Sequence, residues 1–277
     1  MVKIVLRLKG GLGNQLFIYA LGSSINKTIG KSVSFDLRTG FLNDVYRRIP
    51  RIKELNPEIT ESNLSQNILF YFTKSYPKLA KILFNSIIII EKSSREFLEI
   101  PFSIYSKKKY IFIEGYFQSF YYFNQYQSQI LSEIKFPSIT ISKTENITNI
   151  IKSINSVSIH VRRISYDNLL PLEYYNEAIR IITEKVKNPY FFVFSDDYDW
   201  CVSNLSVHKN IKIYKNSIDE FEDLYIMTQC KHHIIANSSF SWWGAMLGVN
   251  KNKIIIAPLT TQIGVLNKFY PNTWQLI

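Results

Sequence analysis

The chain has 277 residues, a length that suits either one large domain or two domains of ordinary size. Hydrophobic residues make up 46% of it, enough for a packed core, which argues against extensive disorder. The net charge of +11 favours an anionic partner, such as a nucleotide-sugar or an anionic membrane surface. Nucleic acid is the weakest of these candidates, because the basic residues are dispersed and no nucleic-acid-binding motif accompanies them.

The cysteines and the N-terminal segment bear on the compartment. Cys201 and Cys230 lack metal-ligand spacing and allow at most one disulfide, which is typical of a reducing compartment. Arg7 and Lys9 come too early for a signal peptide, and the longest apolar run, around residues 87–90, is far shorter than a membrane span. We predict a cytoplasmic protein that at most rests on the inner face of a membrane.

The first half of the chain begins with a β-α-β pattern. Residues 2–8 alternate as a strand, residues 14–29 have helical periodicity, and residues 31–37 form a second strand. A further strand is predicted at 110–117. The polar stretch 138–149 is the best candidate for a domain boundary.

After this stretch, strands and helices alternate strictly. The predicted strands are 156–162, 190–195, 211–215, 233–236 and 253–257. The predicted helices are 171–187, 197–205, 220–230 and 241–248. Such alternation is typical of a parallel, doubly wound sheet. We therefore predict two α/β domains, residues 1–150 and 151–277, with a ligand cleft between them.

A glycine-rich loop, Gly10–Gln15, separates the first strand from the first helix. It lacks the Lys-Ser/Thr of a Walker loop, and Leu16 replaces the third glycine of a dinucleotide fingerprint. Asp36, at the end of the second strand, matches the ribose-binding acid of that fingerprint, so an NAD-dependent oxidoreductase remains an alternative. The loop is equally compatible with a tight turn in which Asn14 caps the helix, or with Asn14 and Gln15 offering amides to a sugar.

The predicted strand at 156–162 ends in His160, Arg162 and Arg163. Because alternate residues share a face, His160 and Arg162 point one way and Arg163 the other. A guanidinium at the carboxyl end of a parallel strand suits a diphosphate. The alternative is that both arginines pair with nearby carboxylates.

Two further polar segments follow predicted strands. Ser195-Asp196-Asp197 either caps the next helix, which is favoured, or accepts hydrogen bonds from a purine. Asp197 and Asp199 spell a D-x-D, but a helical turn would separate the two carboxylates, so no metal site is predicted. Asn237–Gly244 places serines at a helix amino terminus, where they either bind an anion or simply cap the helix. This turn and the arginines can converge on one diphosphate.

Five segments, in the same order and spread over nearly the whole chain, resemble motifs of glycosyltransferase family 11, the bacterial α-1,2-fucosyltransferases: Gly10–Phe17, Glu114–Ser119, His160–Arg163, Phe194–Asp197 and Asn237–Gly244. The resemblance implies a GT-B fold of two Rossmann-like domains, with GDP-fucose held by the C-terminal one and the acceptor by the N-terminal one. It also implies metal-independent, inverting transfer to the 2-hydroxyl of a terminal galactose, without a cofactor.

The resemblance implies roles for individual residues. Arg162 would neutralise the departing diphosphate with help from Ser239 and Ser241, and His160 with Asp196 or Asp197 would contact the guanosine. The donor-side set is His160, Arg162, Arg163, Ser195, Asp196, Asp197, Asn237, Ser238, Ser239 and Ser241. The acceptor-side set is Gly11, Gly13, Asn14, Gln15, Asp36 and Glu114.

The sequence departs from the family pattern after the two arginines. Ser165 stands where the family has an acid, and Asp167 lies two residues further on. Leu259-Thr260-Thr261 also replaces a segment that often carries Lys and Trp. The general base is therefore unassigned among Asp167, Glu114 and Asp36.

We predict an inverting α-1,2-fucosyltransferase that extends a galactose-terminated glycan, such as a bacterial O-antigen or another surface polysaccharide. The basic surface suits a diphosphate donor and a lipid-linked acceptor at an anionic membrane, which the protein would contact peripherally. One alternative, supported only by the displaced acid, is a non-catalytic nucleotide- or glycan-binding protein of the same fold. The other is the NAD-dependent oxidoreductase.

Overall fold

The computed structural model describes residues 2–30, 32–93, 96–101, 107–164, 168–215, 219–259 and 268–277. The chain divides into two compact units, Met1–Lys135 with Gly264–Tyr270 and Phe136–Ile263 with Pro271–Ile277. Each unit is built on one parallel β-sheet.

The first unit has these helices and strands: β1 (Lys3–Arg7), α1 (Leu12–Ile29), β2 (Val33–Asp36), α2 (Ile52–Leu55), α3 (Leu64–Ser75), α4 (Pro77–Phe84), β3 (Ser86–Ile90), β4 (Tyr110–Glu114) and α5 (Gln127–Glu133). The strand order is β2-β1-β4-β3, so β1 and β4 are central. Phe70 of α3 stacks on Phe112 of β4 with 4.8 Å between ring centroids, and Val5 joins them in the core. β1 and β4 end in Arg7 and Glu114, which places opposite charges at the carboxyl edge of the sheet.

The second unit has these helices and strands: α6 (Ser138–Ser153), β5 (Ser156–Val161), α7 (Leu172–Lys185), β6 (Tyr190–Ser195), α8 (Tyr198–Leu205), β7 (Ile211–Ile213), α9 (Glu220–Gln229), β8 (His232–Ile234), α10 (Ser239–Met246), β9 (Ile255–Ala257) and β10 (Gln275–Leu276). The strand order is β10-β9-β8-β5-β6-β7.

Helices cover both faces of this second sheet. Along β6, Phe191 and Val193 pack in the cluster that contains α7, whereas Phe192 and Phe194 pack against Ile151 of α6 and α9. Successive side chains of a strand point to opposite faces, so burial on both faces requires a continuous apolar run. This explains why β6 was recognisable in the sequence, whereas β5, with Ser156, Ser158 and His160, was recognisable by its alternation.

The polar stretch at 138–149 is a helix, and the two units divide between Lys135 and Phe136, earlier than the predicted boundary at 150. Thr140, Thr144 and Thr148 are buried at four-residue spacing along α6. The Thr144 hydroxyl donates to the carbonyl of Thr140 at 2.8 Å, and that of Thr148 donates to Glu145 at 3.0 Å. Because each hydroxyl is satisfied by its own helix, a polar sequence forms a buried helix face here.

Two other expectations change in detail. Helix α1 begins at Leu12 with Gly11 as its N-cap, so Asn14 lies within the first turn and does not cap the helix. Gly10 has a φ of +77°, as the tight turn requires. Among the described residues, no helix is both long and apolar enough to cross a bilayer.

Candidate functional site

Strand β5 leads to the sheet edge where the predicted donor residues lie. It pairs with β6 on one side and with β8 on the other. The chain runs from β5 outward to β6 and β7 and later returns to β8, so the strand order switches between β5 and β8. Open parallel sheets bind their ligands at the carboxyl edge of such a switch point. Arg162 follows β5 at this edge, and Asn237 follows β8 soon after Ile234.

Asp196 organises the turn that follows β5. Its Oδ1 accepts a hydrogen bond from the backbone N–H of Arg163 at 2.8 Å, and its Oδ2 accepts one from that of Ile164 at 3.0 Å. The same Oδ2 lies 3.0 Å from Nη1 of Arg162, whose side chain is 40% exposed. One carboxylate therefore holds both the backbone of the turn and the first arginine.

Asp197 caps helix α8, as the favoured sequence interpretation predicted. Its Oδ1 accepts from the backbone N–H of Trp200 at 3.1 Å, and its Oδ2 lies 3.3 Å from Nε of Arg163. The Arg163 guanidinium also lies over the Trp200 ring, 4.2 Å from its centroid. Ser195 accepts from the backbone N–H of Asp197 at 2.9 Å. The pairing of both arginines with neighbouring carboxylates is thus present, and contact of these aspartates with a purine stays a prediction.

Asp199, the second acid of the D-x-D, lies in the first turn of α8. Within the described ranges, no group of three or more His, Cys, Asp or Glu side chains is arranged to hold a metal ion.

The serine-rich turn begins helix α10, directly after β8. Ser238 is the N-cap, and its hydroxyl accepts from the backbone N–H of Phe240 at 3.3 Å. The buried Ser241 hydroxyl lies 3.3 Å from the carbonyl of Ala236 and 3.2 Å from that of Ser238, so it faces its own backbone. Ser239 is half-buried at the first helical position. The capping interpretation is therefore present here, and an anion at this helix start stays a prediction.

His160 lies on β5 beside this turn, with its ring centroid 5.7 Å from that of Phe240. Its Nδ1 is buried and has no hydrogen-bond partner among the described residues. Burial, reinforced by the charge of Arg162, lowers the pKa of His160 to about 3. The imidazole is therefore neutral at physiological pH and can exchange a hydrogen bond with a ligand without adding charge.

The depressed pKa of His160 predicts acid sensitivity. Because the folded-state pKa lies below the ordinary value of 6.5, the unfolded chain binds more protons between pH 6.5 and about 3. Stability is therefore full above pH 6.5 and falls with acidification, by at most about 1.4 kcal/mol per pH unit for this one proton. Urea unfolding of the wild type and of His160→Gln from pH 7 to pH 4 should give a shallower pH dependence for the variant. Parallel slopes would contradict a neutral, buried His160.

The first unit contains a cavity of about 760 Å³ at the carboxyl edge of its sheet. Its lining combines aromatic, basic and acidic side chains with one glycine of the first loop, chiefly Arg7, Lys9, Gly10, Asp44, Tyr46, Arg48, Tyr71, Lys74, Glu114 and Tyr116. Aromatic faces with flanking hydrogen-bonding groups are the typical lining of a small polar-ligand site.

Glu114 lies at the base of this cavity between two cations. Its Oε2 is 3.1 Å from Nη1 of Arg7, and its Oε1 is 2.8 Å from Nζ of Lys74. Lys9 lies over the ring of Tyr116, 4.6 Å from its centroid, and burial lowers the pKa of Lys9. A second carboxylate of the lining, Asp44, is equally buried and has its Oδ1 3.6 Å from Nε of Arg48. The cavity thus contains two largely buried carboxylates, each paired with basic groups.

Gln15 is a structural residue and does not offer its amide to a ligand. Its Nε2 donates to the carbonyls of Gly10 and Ile49, both at 2.9 Å. Its Oε1 accepts from the backbone N–H groups of Arg51 at 2.8 Å and Ile52 at 3.2 Å. Three of these hydrogen bonds fasten residues 49–52 to Gln15, and the fourth holds the carbonyl of Gly10 in the glycine-rich loop.

The role of Gln15 can be tested by hydrogen exchange. Gln15→Leu leaves buried backbone groups without partners, at a cost of about 1–3 kcal/mol each. The amides of Arg51 and Ile52 should therefore exchange faster by one to two orders of magnitude, and the unfolding midpoint should fall. Asn26→Ala, an exposed position on α1, is the matched control and should leave both amides protected. Unchanged exchange in Gln15→Leu would show that the loop is held by other contacts.

The remaining predicted acceptor residues differ in position. Asn14 accepts a hydrogen bond at 2.7 Å from Gln118, and Gly13 is buried within α1. Asp36 is fully buried, and its Oδ1 accepts from the backbone N–H groups of Arg38 at 3.0 Å and Thr39 at 2.9 Å. Asp36 therefore holds the loop after β2. It is too buried to contact a ribose, and it does not line the cavity. Gly11 is the helix N-cap and lies outside that lining.

Sequence reasoning missed three charged residues of the first unit. Arg7 and Lys9 line the cavity, and their position after an apolar strand was the available signal. Glu91 accepts from the backbone N–H groups of Tyr116 at 2.6 Å and Phe117 at 3.0 Å, and it shapes the turn after β4. Burial raises the pKa of Glu91. No local pattern marked Glu91, because its partners lie far along the chain.

Ser165, which stands where the family has an acid, and Asp167, its possible substitute, lie outside the described residues, as do Thr260 and Thr261. The role of Asp167 therefore stays a prediction.

Two parallel α/β sheets, each with charged and polar residues at a carboxyl edge, are the architecture of the GT-B fold. The chain is similar to a solved structure of this class, the NodZ α-1,6-fucosyltransferase of Bradyrhizobium soaked with GDP-fucose, with a TM-score of 0.52 and 14% identity over 89% of this chain and 93% of that one. The family model of glycosyltransferase family 11 matches residues 1–274, and the chain belongs to this family.

Two curated relatives, both from Escherichia coli, cover nearly the whole chain. An α-1,2-colitosyltransferase is 33% identical over 92% of this chain and 91% of its own length. The O-antigen biosynthesis glycosyltransferase WbnK is 29% identical over 91% and 92%, respectively. The protein is therefore a glycosyltransferase, and the non-catalytic and oxidoreductase alternatives are set aside.

Proposed function

We propose that this glycosyltransferase moves L-fucose from GDP-fucose to the 2-hydroxyl of a terminal galactose in a bacterial O-antigen or a related surface glycan. The family match over residues 1–274 carries the proposal. The 1,2-linkage and the O-antigen context are supported by the names of the two relatives, and the donor by the GDP-fucose soaked into the related fold.

The donor is proposed to bind at the switch point of the second sheet. Arg162 neutralises the negative charge that develops on the departing diphosphate as the fucosyl–oxygen bond breaks. Asp196 positions Arg162 through the 3.0 Å ion pair and holds the turn after β5. The start of α10 and its serines offer backbone N–H groups to the same phosphates, and the neutral His160 faces the nucleoside.

The acceptor galactose is proposed to occupy the cavity of the first unit. Among the described candidates, Glu114 is assigned as the base for the 2-hydroxyl because it lines the cavity, where it is ion-paired with Arg7 and Lys74, whereas Asp36 lies outside the lining. Tyr46, Tyr71 and Tyr116 provide aromatic faces for the sugar. Asp167 remains the second candidate for the base.

One assay tests donor, acceptor and regiochemistry together. GDP-fucose is incubated with a panel of β-galactosides, and the product linkage is determined by NMR. The expected product carries α-fucose on the 2-hydroxyl of galactose. Fucosylation at another position, or no transfer to any galactoside, would refute the proposal.

The sequence similarity to a colitosyltransferase supports a second candidate donor sugar. Colitose lacks the 3-hydroxyl of fucose, so the ratio of kcat/KM for the two GDP-sugars reports whether the site hydrogen-bonds that hydroxyl. A site that does so rejects the deoxy sugar by about 10⁴–10⁵. A higher kcat/KM with GDP-colitose than with GDP-fucose would make colitose the transferred sugar, and the proposed 1,2-linkage would stay the same.

A further inference from the structure

Helix α4 carries an apolar face that the described structure leaves in contact with solvent. Of its eight residues, only Ala80 is buried. Five large side chains are exposed and form the surface that we call the α4 apolar face, namely Tyr76, Leu79, Ile82, Leu83 and Phe84. Ile82 is 78% exposed and Leu83 is 59% exposed.

This exposure is unusual for so short a helix. An isolated helix of eight residues is marginal in water, and most helical stability comes from packing of the apolar side. On its inner side, α4 packs through Ala80 and through Phe84, whose ring centroid lies 5.7 Å from that of Phe72 on α3. Leu79, Ile82 and Leu83 point outward. Contiguous exposed apolar patches mark binding surfaces in soluble proteins.

The charges around the α4 apolar face have one sign. Residues 62–90 contain three lysines and not a single Asp or Glu. Two of them, Lys78 and Lys81, lie on α4 itself and are exposed.

The C-terminal end of α4 adds a second basic cluster. Asn85 donates from Nδ2 to the carbonyl of Lys107 at 3.3 Å and accepts from Nζ of Lys108 at 3.3 Å. The backbone N–H of Lys109 donates to the carbonyl of Asn85 at 3.0 Å. The run Lys107-Lys108-Lys109 is thereby fixed beside α4, and the acids of neighbouring strands, Glu91 and Glu114, lie at the opposite ends of β3 and β4.

We propose that the α4 apolar face docks onto the surface of a bilayer that contains anionic lipids. Apolar side chains enter the boundary between headgroups and acyl chains, while the surrounding lysines contact lipid phosphates, as in interfacial amphipathic helices. A second copy of this chain fits less well, because symmetric pairing of the same face would bring lysines against lysines.

The docked surface has a direct connection to the cavity of the first unit. Lys74 and Ser75, the last residues of α3, line that cavity, and α4 begins at Pro77. A glycan acceptor attached to a lipid would therefore be presented close to the cavity. Membrane docking does not depend on which sugar is transferred.

The test is co-sedimentation of the full chain with vesicles of phosphatidylglycerol and phosphatidylcholine, compared with phosphatidylcholine alone. Binding is expected with the anionic vesicles and should weaken with added salt. Ile82→Ser with Leu83→Ser should lower the partition coefficient by about tenfold for each side chain. Lys78→Gln with Lys81→Gln should lower it by about fivefold for each lysine.

Val207→Ser with Val249→Ser is the matched control, since these two valines are 78% and 61% exposed in the second unit. This control should bind vesicles like the wild type, and all variants should keep the circular dichroism spectrum and transfer to a soluble galactoside. Absence of wild-type binding to anionic vesicles, or equal losses in the control, would overturn the proposal. Self-association that is lost in Ile82→Ser with Leu83→Ser, without vesicle binding, would assign the face to a second copy instead.

Discussion

Arg162→Ala is expected to lower kcat for transfer from GDP-fucose by about 10²–10³, because a preorganised donor aimed at developing charge is typically worth that much. Arg162→Lys should recover only part of the loss, since an ammonium keeps the charge but lacks the planar fork of a guanidinium. Steady-state rates of GDP release with a galactoside acceptor measure both variants.

Arg180→Ala provides the matched control for Arg162. Arg180 lies on α7 of the same unit and pairs at the surface with Glu177 and Glu184. Surface ion pairs contribute little, so kcat should stay at the wild-type value. Near-normal turnover in Arg162→Ala would refute the leaving-group role. A rise in KM for the donor with unchanged kcat would limit Arg162 to ground-state binding.

Glu114→Gln is expected to lower kcat by about 10²–10⁴ with little change in KM for the acceptor, because a general base contributes by that amount in the transition state. The substitution preserves the size of the side chain, although its single amide oxygen can accept from only one of the two cations that Glu114 pairs with, Arg7 and Lys74. The measurement is kcat and KM, determined separately, for a galactoside acceptor. The slow hydrolysis of GDP-fucose is measured alongside and should change little, because it needs no deprotonated sugar hydroxyl.

Glu54→Gln is the control for Glu114, since Glu54 pairs with Arg51 at the surface of the same unit. Its kinetic constants should match the wild type. Two outcomes would contradict the role of Glu114. An unchanged kcat would transfer the role to Asp167, and a raised KM with unchanged kcat would make Glu114 an acceptor-binding residue.

The fold class was accessible from sequence because both sheets are parallel. The continuous apolar run of β6 follows directly from burial on both faces, whereas β5 alternates polar and apolar residues although it is buried throughout. The ends of these strands were equally accessible, since Arg162 and Asp196 are the first polar residues after buried segments. A chemical role for them could be proposed from that position alone.

Local patterns could not predict which polar side chains form hydrogen bonds within the protein and are therefore not available to a ligand. Gln15 and Asp36 are residue types that often bind ligands, yet their side chains are hydrogen-bonded to backbone groups of residues 49–52 and 38–39, respectively. The polar sequence of α6 resembled a linker because its threonines hide their hydroxyls in the helix. Each case depends on where a hydrogen-bond partner lies in space.

The sequence by itself therefore determined the α/β class, eight of the ten described strands (β3 and β10 were not predicted) and the arginine at the end of β5. These features depend on periodicity and on the requirement that strands buried on both faces be apolar. Only the tertiary structure decided that β8 returns beside β5, that Arg7, Lys9 and Glu114 share one cavity, and that no described residue buries the α4 apolar face. The physical reason is that strand order, ion pairing and burial are set by contacts between residues distant in the chain, which no local pattern records.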